Sequence, residues 1–215
     1  MKLHDHVPSG PRSDKRCCGL DDALDARGVA DRLGFPFYVM DLQDEFRKAV
    51  VDYFSREYLE GRTPNPCIQC NGVLKFDLLL RRVAALGATH LATGHYARVV
   101  DGVLATGRDP AKDQSYFLFP LRAEILPKVL FPLGALTKDE VREEARALGL
   151  GTAEKPESQE ICFVPGDDHA AFIKKARPEA EGAGPIKHID GRVLGHHDGY
   201  WRYTIGQRRG LGVAV

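Results

Sequence analysis

The sequence lacks an excess of charge of either sign. Thirty Lys and Arg balance 30 Asp and Glu among 215 residues, so there is no global signature of a nucleic-acid coat. Long apolar runs are also missing, and with them any predicted membrane span. The first residues, "MKLHDHVPSGPRSDKRCCG", hold no apolar stretch of the kind a secretory signal needs. Cysteine is scarce and odd in number, at Cys17, Cys18, Cys67, Cys70 and Cys162. That count argues against a secreted disulfide framework and for functional thiols in a reducing cytoplasm. No internal repeat and no low-complexity tract interrupts the chain.

What is present is the composition of an ordinary globular protein, 43% hydrophobic and 28% charged. The length allows one large domain, or one domain with part of another. "LDDALDARGVADRLG" (20–34) places Ala23, Ala26, Val29, Ala30 and Leu33 at helical spacing, with Gly34 as the stop. "FPFYVMDL" (35–42) is short, apolar and aromatic, the signal of a buried strand. "QDEFRKAVVDYFSREYLEG" (43–61) and "VLKFDLLLRRVAALG" (73–87) predict helices, and "THLATGH" (89–95) a strand ending in a glycine turn. Helices alternating with short apolar strands predict an α/β domain built on a parallel sheet.

After Tyr96 the texture changes. "YARVVDGVLATG" predicts a hairpin about Asp101-Gly102. "PKVLFPLGALTKDEVREEARALGL" predicts a proline-bounded loop, then a helix capped by Thr137, with Glu140 completing a capping box. "VPGDDHAAFIKKA" predicts a short helix. From Gly182 onward, glycine and proline punctuate β-like runs, the pattern of a second, β-containing module. Over 174–215 eight Lys/Arg stand against four Asp/Glu, with three histidines besides. From charge alone this reads as a solvated face.

The stretch with most chemistry is "RTPNPCIQCN" (62–71). Pro64 and Pro66 stiffen the backbone around Asn65, each fixing its own φ and biasing the residue before it. Cys67 and Cys70 follow as C-x-x-C, a spacing open to a metal, a disulfide or sulfur chemistry. Asn71 is positioned to cap the helix that follows. That would place Cys70 at a helix N-terminus, where partial positive charge lowers a thiol's pKa. On local sequence alone Cys162, between Ile161 and Phe163, reads as a small buried hydrophobe. His95 reads as a satisfied polar group, "KDQ" (112–114) equally well as a capped helix start, and Cys17 and Cys18 as packing.

Five segments occur in order: "GRTPNPCIQCNGVLKF", "LATGHYAR", "KDQSYFL", "ESQEICFV" and "YTIGQRRGLGV". With "CCGLDDALDARGVADRLG" they resemble the tRNA-specific 2-thiouridylases, the MnmA (TrmU) family, over nearly the whole chain. The resemblance implies an adenine nucleotide α-hydrolase-like (PP-loop, Rossmann-like) domain over 1–163. A small β-containing central, tRNA-binding domain would follow over 164–215. It also implies a fragment. The family's first strand, its S-G-G-x-D-S-S phosphate loop and its C-terminal β-barrel have no counterpart here, and Met1 matches an internal residue. Such a chain is expected neither to bind ATP tightly nor to thiolate tRNA alone. A strand, the missing loop and a helix are expected in frame upstream.

The implied reaction replaces the C2 oxygen of a tRNA wobble uridine with sulfur. ATP, with Mg2+, adenylates that oxygen, AMP leaves, and sulfur arrives as a cysteine persulfide from a sulfur-relay donor protein. By resemblance Cys70 is the nucleophile and Cys162 the persulfide carrier. A Cys70–Cys162 disulfide is one outcome, and reductive release of hydrosulfide by Cys70 is the other. Met1, through its backbone, and Gly94 match ATP contacts. Asn65, Pro66 and Cys67 match the segment against the target base. His95, Lys112, Asp113, Gln114, Gln207 and Arg208, with Arg209 alongside, match tRNA contacts. Lys112 suits a phosphate or the activated uridine, with Asp113 orienting it. The family carries Asp or Cys at position 67, so a second reading gathers Cys67, Cys70 and Cys162 around a [4Fe–4S] cluster. Zinc ranks third, for want of a fourth ligand. The implied protein is a cytoplasmic monomer away from any membrane. Two other classes compete: a non-catalytic module that only binds RNA or metal, and a PP-loop amidation enzyme of the argininosuccinate synthase or GMP synthetase type. The latter has no use for paired thiols.

Overall fold

The structure, a computed structural model, describes residues 1–3, 20–156 and 161–213. Cys17 and Cys18 lie outside the described residues, as does "ESQE" (157–160).

The expected helices form for local reasons. Helix Leu20–Leu33 stops at Gly34, whose φ of 74° is left-handed, a conformation glycine adopts without a Cβ penalty. The helix over 43–59 is continuous through Gln43–Phe46, a π-helical turn Arg47–Val51 and Asp52–Leu59. Phe46, Val50, Phe54 and Tyr58 recur at four-residue spacing in it and form one buried stripe. The helix over 66–85 runs through Pro66–Gln69, a π-helical stretch Cys70–Leu79 and Leu80–Ala85. It starts at Pro66 rather than near Val73, because the cap is Asn65 and not Asn71. Helix Lys138–Ala147 carries the expected capping box. Thr137 Oγ1 accepts from Glu140 N (3.3 Å) and Glu140 Oε2 from Thr137 N (2.7 Å). Asp168 caps His169–Ala176 by accepting from Ala171 N at 2.8 Å.

The described sheet content comes as three two-stranded pieces. Strand β1 (Leu91–Ala92) pairs in parallel with β4 (Val129–Leu130), and Thr93 N extends the ladder to Leu130 O at 3.0 Å. β4 falls inside what the sequence reads as a proline-bounded loop. Two residues are too few for alternation to reveal. The strand expected over 35–42 is instead a single parallel bridge, Lys2 to Asp41. Its bonds are Lys2 N to Met40 O (2.8 Å) and Leu42 N to Lys2 O (2.9 Å). A ladder needs a partner along its length, and among the described residues only Lys2 supplies one. Phe35, Tyr38 and Val39 stay exposed.

β2 (Ala97–Val100) and β3 (Val103–Thr106) form the expected hairpin, with Val100 opposite Val103. Asp101 (φ 50°) and Gly102 (φ 76°) are both left-handed, as a two-residue Asp-Gly turn requires. β5 (Gly184–Lys187) and β6 (Val193–His197) form a second hairpin, with an irregularity at Ile186/Lys187.

Two cores organise these elements. The first joins Leu3, Leu42, Phe46, Val50, Phe54, Tyr58, Cys70 and Leu74 to Phe163, Val164, Ile173 and Trp201. Phe163 sits at its centre, edge-to-face with Phe46, Phe54 and Phe172 at centroid distances of 5.5, 5.3 and 5.3 Å. The second holds Phe76, Ala97, Leu118 and Val129. Helix 66–85 gives Cys70 and Leu74 to the first core and Phe76 to the second, so it lies between them. No helix among the described residues is long and apolar enough to cross a membrane.

Candidate functional site

The start of helix 66–85 is built by three residues. Asn65, in an extended conformation, accepts through Oδ1 from Cys67 N (3.1 Å) and Ile68 N (3.2 Å). Pro66 occupies the first helical position, where a missing N–H costs nothing. Two donors that a helix start leaves without partners are thereby satisfied. Cys67 falls in the first turn, exposed, and Cys70 comes a turn later, buried. This corrects the sequence-based expectation for Asn71. It caps nothing: it is 2% exposed, and its Nδ2 donates to Phe117 O at 3.0 Å. The helix dipole acts on the first turn, and that place belongs to Cys67.

Cys162 is half-buried and packs against the core that contains Cys70. Its neighbour Phe163 is pinned by three rings. Two thiols far apart in sequence thus sit on one core. None of Cys67, Cys70 and Cys162 is in a disulfide. Among the described residues no group of three or more His, Cys, Asp or Glu is arranged to hold a metal ion. The helix turns Cys70 to the core and leaves Cys67 on the surface.

The "YTIGQRR" segment lies against the proline loop. Ile205 N donates to Thr63 Oγ1 at 2.9 Å, Tyr58 OH and Thr204 Oγ1 are 3.5 Å apart, and Tyr200 OH donates to Leu59 O. Gln207 spends its amide on its own turn. Its Oε1 accepts from Thr204 N (3.0 Å) and its Nε2 donates to Arg209 O (2.8 Å). Arg208 is exposed.

On the other side of helix 66–85 opens a cleft of about 390 Å³, lined by Met1, Lys75, Leu79, Leu91, Ala92, Thr93, Gly94, His95 and Gln114. It brings together Met1, Gly94, His95 and Gln114, which are widely separated in sequence. Lys75 and Thr93 were missed by sequence reasoning. The signal available for Lys75 was a cation in a helical run that is apolar apart from it and Asp77.

A Cβ placed on Gly94 would make only ordinary contact, 3.7 Å, with Leu133 Cδ1. Nothing among the described residues demands glycine there, so the bare backbone is a property of the cleft. Gly134 differs, since a Cβ on it would lie 1.7 Å from Ala97 O. His95 Nδ1 pairs with Thr93 Oγ1 at 2.8 Å, and its ring lies 5.8 Å from Phe76 and 6.1 Å from Phe131. Burial, aided by the Lys75 charge, pushes its pKa down to about 4. It therefore presents a neutral imidazole at neutral pH, a hydrogen-bonding group rather than a cation.

The "KDQ" segment is held rigidly. Gln114 and Tyr96 exchange two bonds, Gln114 N to Tyr96 O (2.9 Å) and Tyr96 N to Gln114 Oε1 (3.1 Å). Asp113 accepts from Gly107 N (2.7 Å), Ser115 Oγ (2.8 Å) and Ser115 N (3.3 Å). Burial opposes ionisation of that carboxyl, but these three donors outweigh it and hold its pKa below the usual value. Asp113 is thus a loop organiser, with both oxygens engaged.

The family model described as the tRNA methyl transferase HUP domain matches residues 1–166, and that of the tRNA methyl transferase PRC-barrel domain matches residues 170–215. The tRNA-specific 2-thiouridylase MnmA of Geobacter metallireducens is 55% identical over 213 residues, covering 97% of this chain and 58% of that protein. The MnmA of Carboxydothermus hydrogenoformans is 53% identical over 205 residues, covering 93% and 56%. That of Rickettsia felis is 50% identical over 218 residues, covering 100% and 60%. The chain thus spans somewhat more than half the length of these curated relatives.

Proposed function

The chain belongs to the tRNA-specific 2-thiouridylase family, and on that premise we propose that it takes part in ATP-dependent 2-thiolation of the wobble uridine of tRNA. The observation that carries this reading is the placement of helix 66–85. One side supplies Cys70 to the core that Cys162 packs on, and Lys75 and Leu79 of the same helix line the cleft with Met1 and Gly94.

The residues present fit the adenosine end of ATP. Met1, Leu79 and Leu91 offer apolar walls, Gly94 an unobstructed backbone, and Lys75 a cation. Among the described residues no carboxylate lines the cleft, so in this reading Mg2+ arrives on the phosphates. The co-substrate ATP supplies the adenylyl group that makes the C2 oxygen a leaving group. Asn65, Pro66 and Cys67 face the target base. With Oδ1 committed to the cap, Asn65 has Nδ2 to offer a uracil carbonyl. His95, Lys112, Gln114 and Arg208 meet the tRNA, and Asp113 and Gln207 hold the loops that present them.

The terminal sulfur of a Cys162 persulfide attacks C2, and the activated oxygen departs with AMP. The Cys70 thiolate then attacks Cys162 Sγ. The S–S bond breaks, sulfur stays on C2, and a Cys70–Cys162 disulfide forms. An external dithiol reductant resets it. A sulfur-relay protein reloads Cys162 from outside. The working protein is a cytoplasmic monomer, with a nucleotide-binding part over 1–163 and a tRNA-binding part over 164–215.

The test is nucleoside analysis of tRNA from cells whose gene for this chain is disrupted. Loss of wobble 2-thiouridine is expected. Unchanged 2-thiouridine would overturn the reading.

A further inference from the structure

The short helical turn Ser115–Leu118 follows "KDQ" and does two opposite things. Leu118 is fully buried in the second core. Tyr116 and Phe119 are 67% and 65% exposed, although both are large aromatics. Their rings lie 6.2 Å apart, and the Phe117 ring continues the patch at 5.6 Å from Tyr116. Single exposed apolar residues need no explanation, but adjoining exposed rings do.

The patch is fixed to the thiol-bearing helix. Asn71, the residue after Cys70, is buried and donates to Phe117 O at 3.0 Å. A Cβ on Gly72 would touch Pro120 Cβ at 3.5 Å, so the two segments run side by side. Pro66–Gln69 also packs on Ser115–Leu118. The rings therefore keep a set position beside the Cys67 and Cys70 end of the helix.

Chemistry selects the occupant. Residues 114–122, "QSYFLFPLR", contain no carboxylate and end in an exposed arginine, and of the Lys112-Asp113 pair before them the carboxylate is engaged by Gly107 and Ser115. An apolar, carboxylate-free ring surface beside cations suits a nucleobase on a phosphate backbone, because every base offers a π-face and single-stranded RNA is read by stacking on aromatic side chains. A uridine reached at C2 must leave the loop stack, so its neighbours lose a stacking partner. Resting on the proposed function, we propose that Tyr116 and Phe119 form a stacking platform for an unpaired anticodon-loop base flanking the uridine delivered to Cys70.

The test uses the 215-residue chain and a tRNA anticodon stem-loop. 2-Aminopurine replaces, in turn, each base flanking the wobble uridine. Binding should quench the probe at one of these positions, because stacking on a ring quenches 2-aminopurine. The Tyr116→Ala/Phe119→Ala double variant should lose the quench and bind about tenfold more weakly. Its salt dependence should be unchanged, since no phosphate contact is lost. Tyr116→Phe/Phe119→Tyr should restore the quench. A far-UV spectrum checks that the double variant is folded, as expected for exposed side chains. If the unchanged chain fails to bind the stem-loop, both the functional reading and this inference fall. If it binds, and the double alanine variant keeps the same affinity and quench, only the inference falls, and the patch faces a protein instead.

Discussion

Asn65 is the residue at which fold and function separate most cleanly. Its Oδ1 accepts from Cys67 N and Ile68 N at 3.1 and 3.2 Å. Asn65→Ala removes both bonds, and loss of such a cap costs about 1 kcal/mol. For a chain of this size that is a fall in melting temperature of about 2–4 °C. Asp caps helices as well as Asn does, so Asn65→Asp should melt close to the parent. Asp nevertheless lacks the amide N–H that would face a uracil carbonyl, and it brings a negative charge near RNA. The two variants should therefore split. Alanine lowers stability, whereas aspartate keeps stability and loses binding of the anticodon stem-loop. Circular dichroism melts and stem-loop titrations read the two effects separately. If Asn65→Ala melts like the parent, the cap is not the stabilising contact described. If Asn65→Asp binds RNA as the parent does, the amide has no role at the base.

Acid should destabilise the protein in a defined window. His95 titrates at about 4 when folded against 6.5 ordinarily, so the unfolded chain binds the extra proton between those values. Stability is fully present above about pH 6.5 and is lost as the pH falls towards 4. The gap is worth at most about 3 kcal/mol at 1.36 kcal/mol per pH unit. His169, also lowered by burial, and Asp113, lowered by its donors against burial, act with the same sign. A urea midpoint that stays flat from pH 7 to 4, or a His95 NMR titration near 6.5, would contradict this. Gly134→Ala should cost roughly 3 kcal/mol or more, because its Cβ would overlap Ala97 O. Gly94→Ala should stay within about 0.5 kcal/mol of the parent, since only Leu133 is near. Equal melts for the two would refute the distinction between a packing glycine and a cleft glycine. Calorimetry of the 215-residue chain should find only weak ATP binding, because its sequence has no Gly/Ser-rich loop to cradle phosphates with backbone N–H groups. Tight binding would show that the cleft alone suffices.

Much of this architecture was legible in the sequence because it is local. Thr137 and Glu140 announce a capping box, Asp101-Gly102 announces a hairpin turn, and the Phe46–Val50–Phe54–Tyr58 stripe announces a buried helix face. The errors fall where local signals compete or end. Asn65 and Asn71 both stand before helical residues, and only Pro66 at the first helical position favours the former. The run 35–42 has strand composition, but strand formation depends on a partner that no local pattern encodes. β4 is two residues long and gives no periodicity. At the site, Cys70, Cys162, Met1 and Gly94 were named as candidates through family resemblance. Lys75 and Thr93 emerged only when the fold placed them beside His95. Asp113 and Gln207 look like surface polar residues in sequence, and their roles inside loops required the hydrogen bonds to be seen.

The central claim is that Cys70 and Cys162 act on one sulfur atom while Cys67 does not. It is tested most directly by measuring 2-thiouridine in tRNA from cells in which the gene for this chain carries Cys70→Ser, Cys162→Ser or Cys67→Asp. The two serine variants should each abolish the nucleoside, and the aspartate variant should retain it. Normal 2-thiouridine with either serine variant, or its loss with Cys67→Asp, would contradict the account.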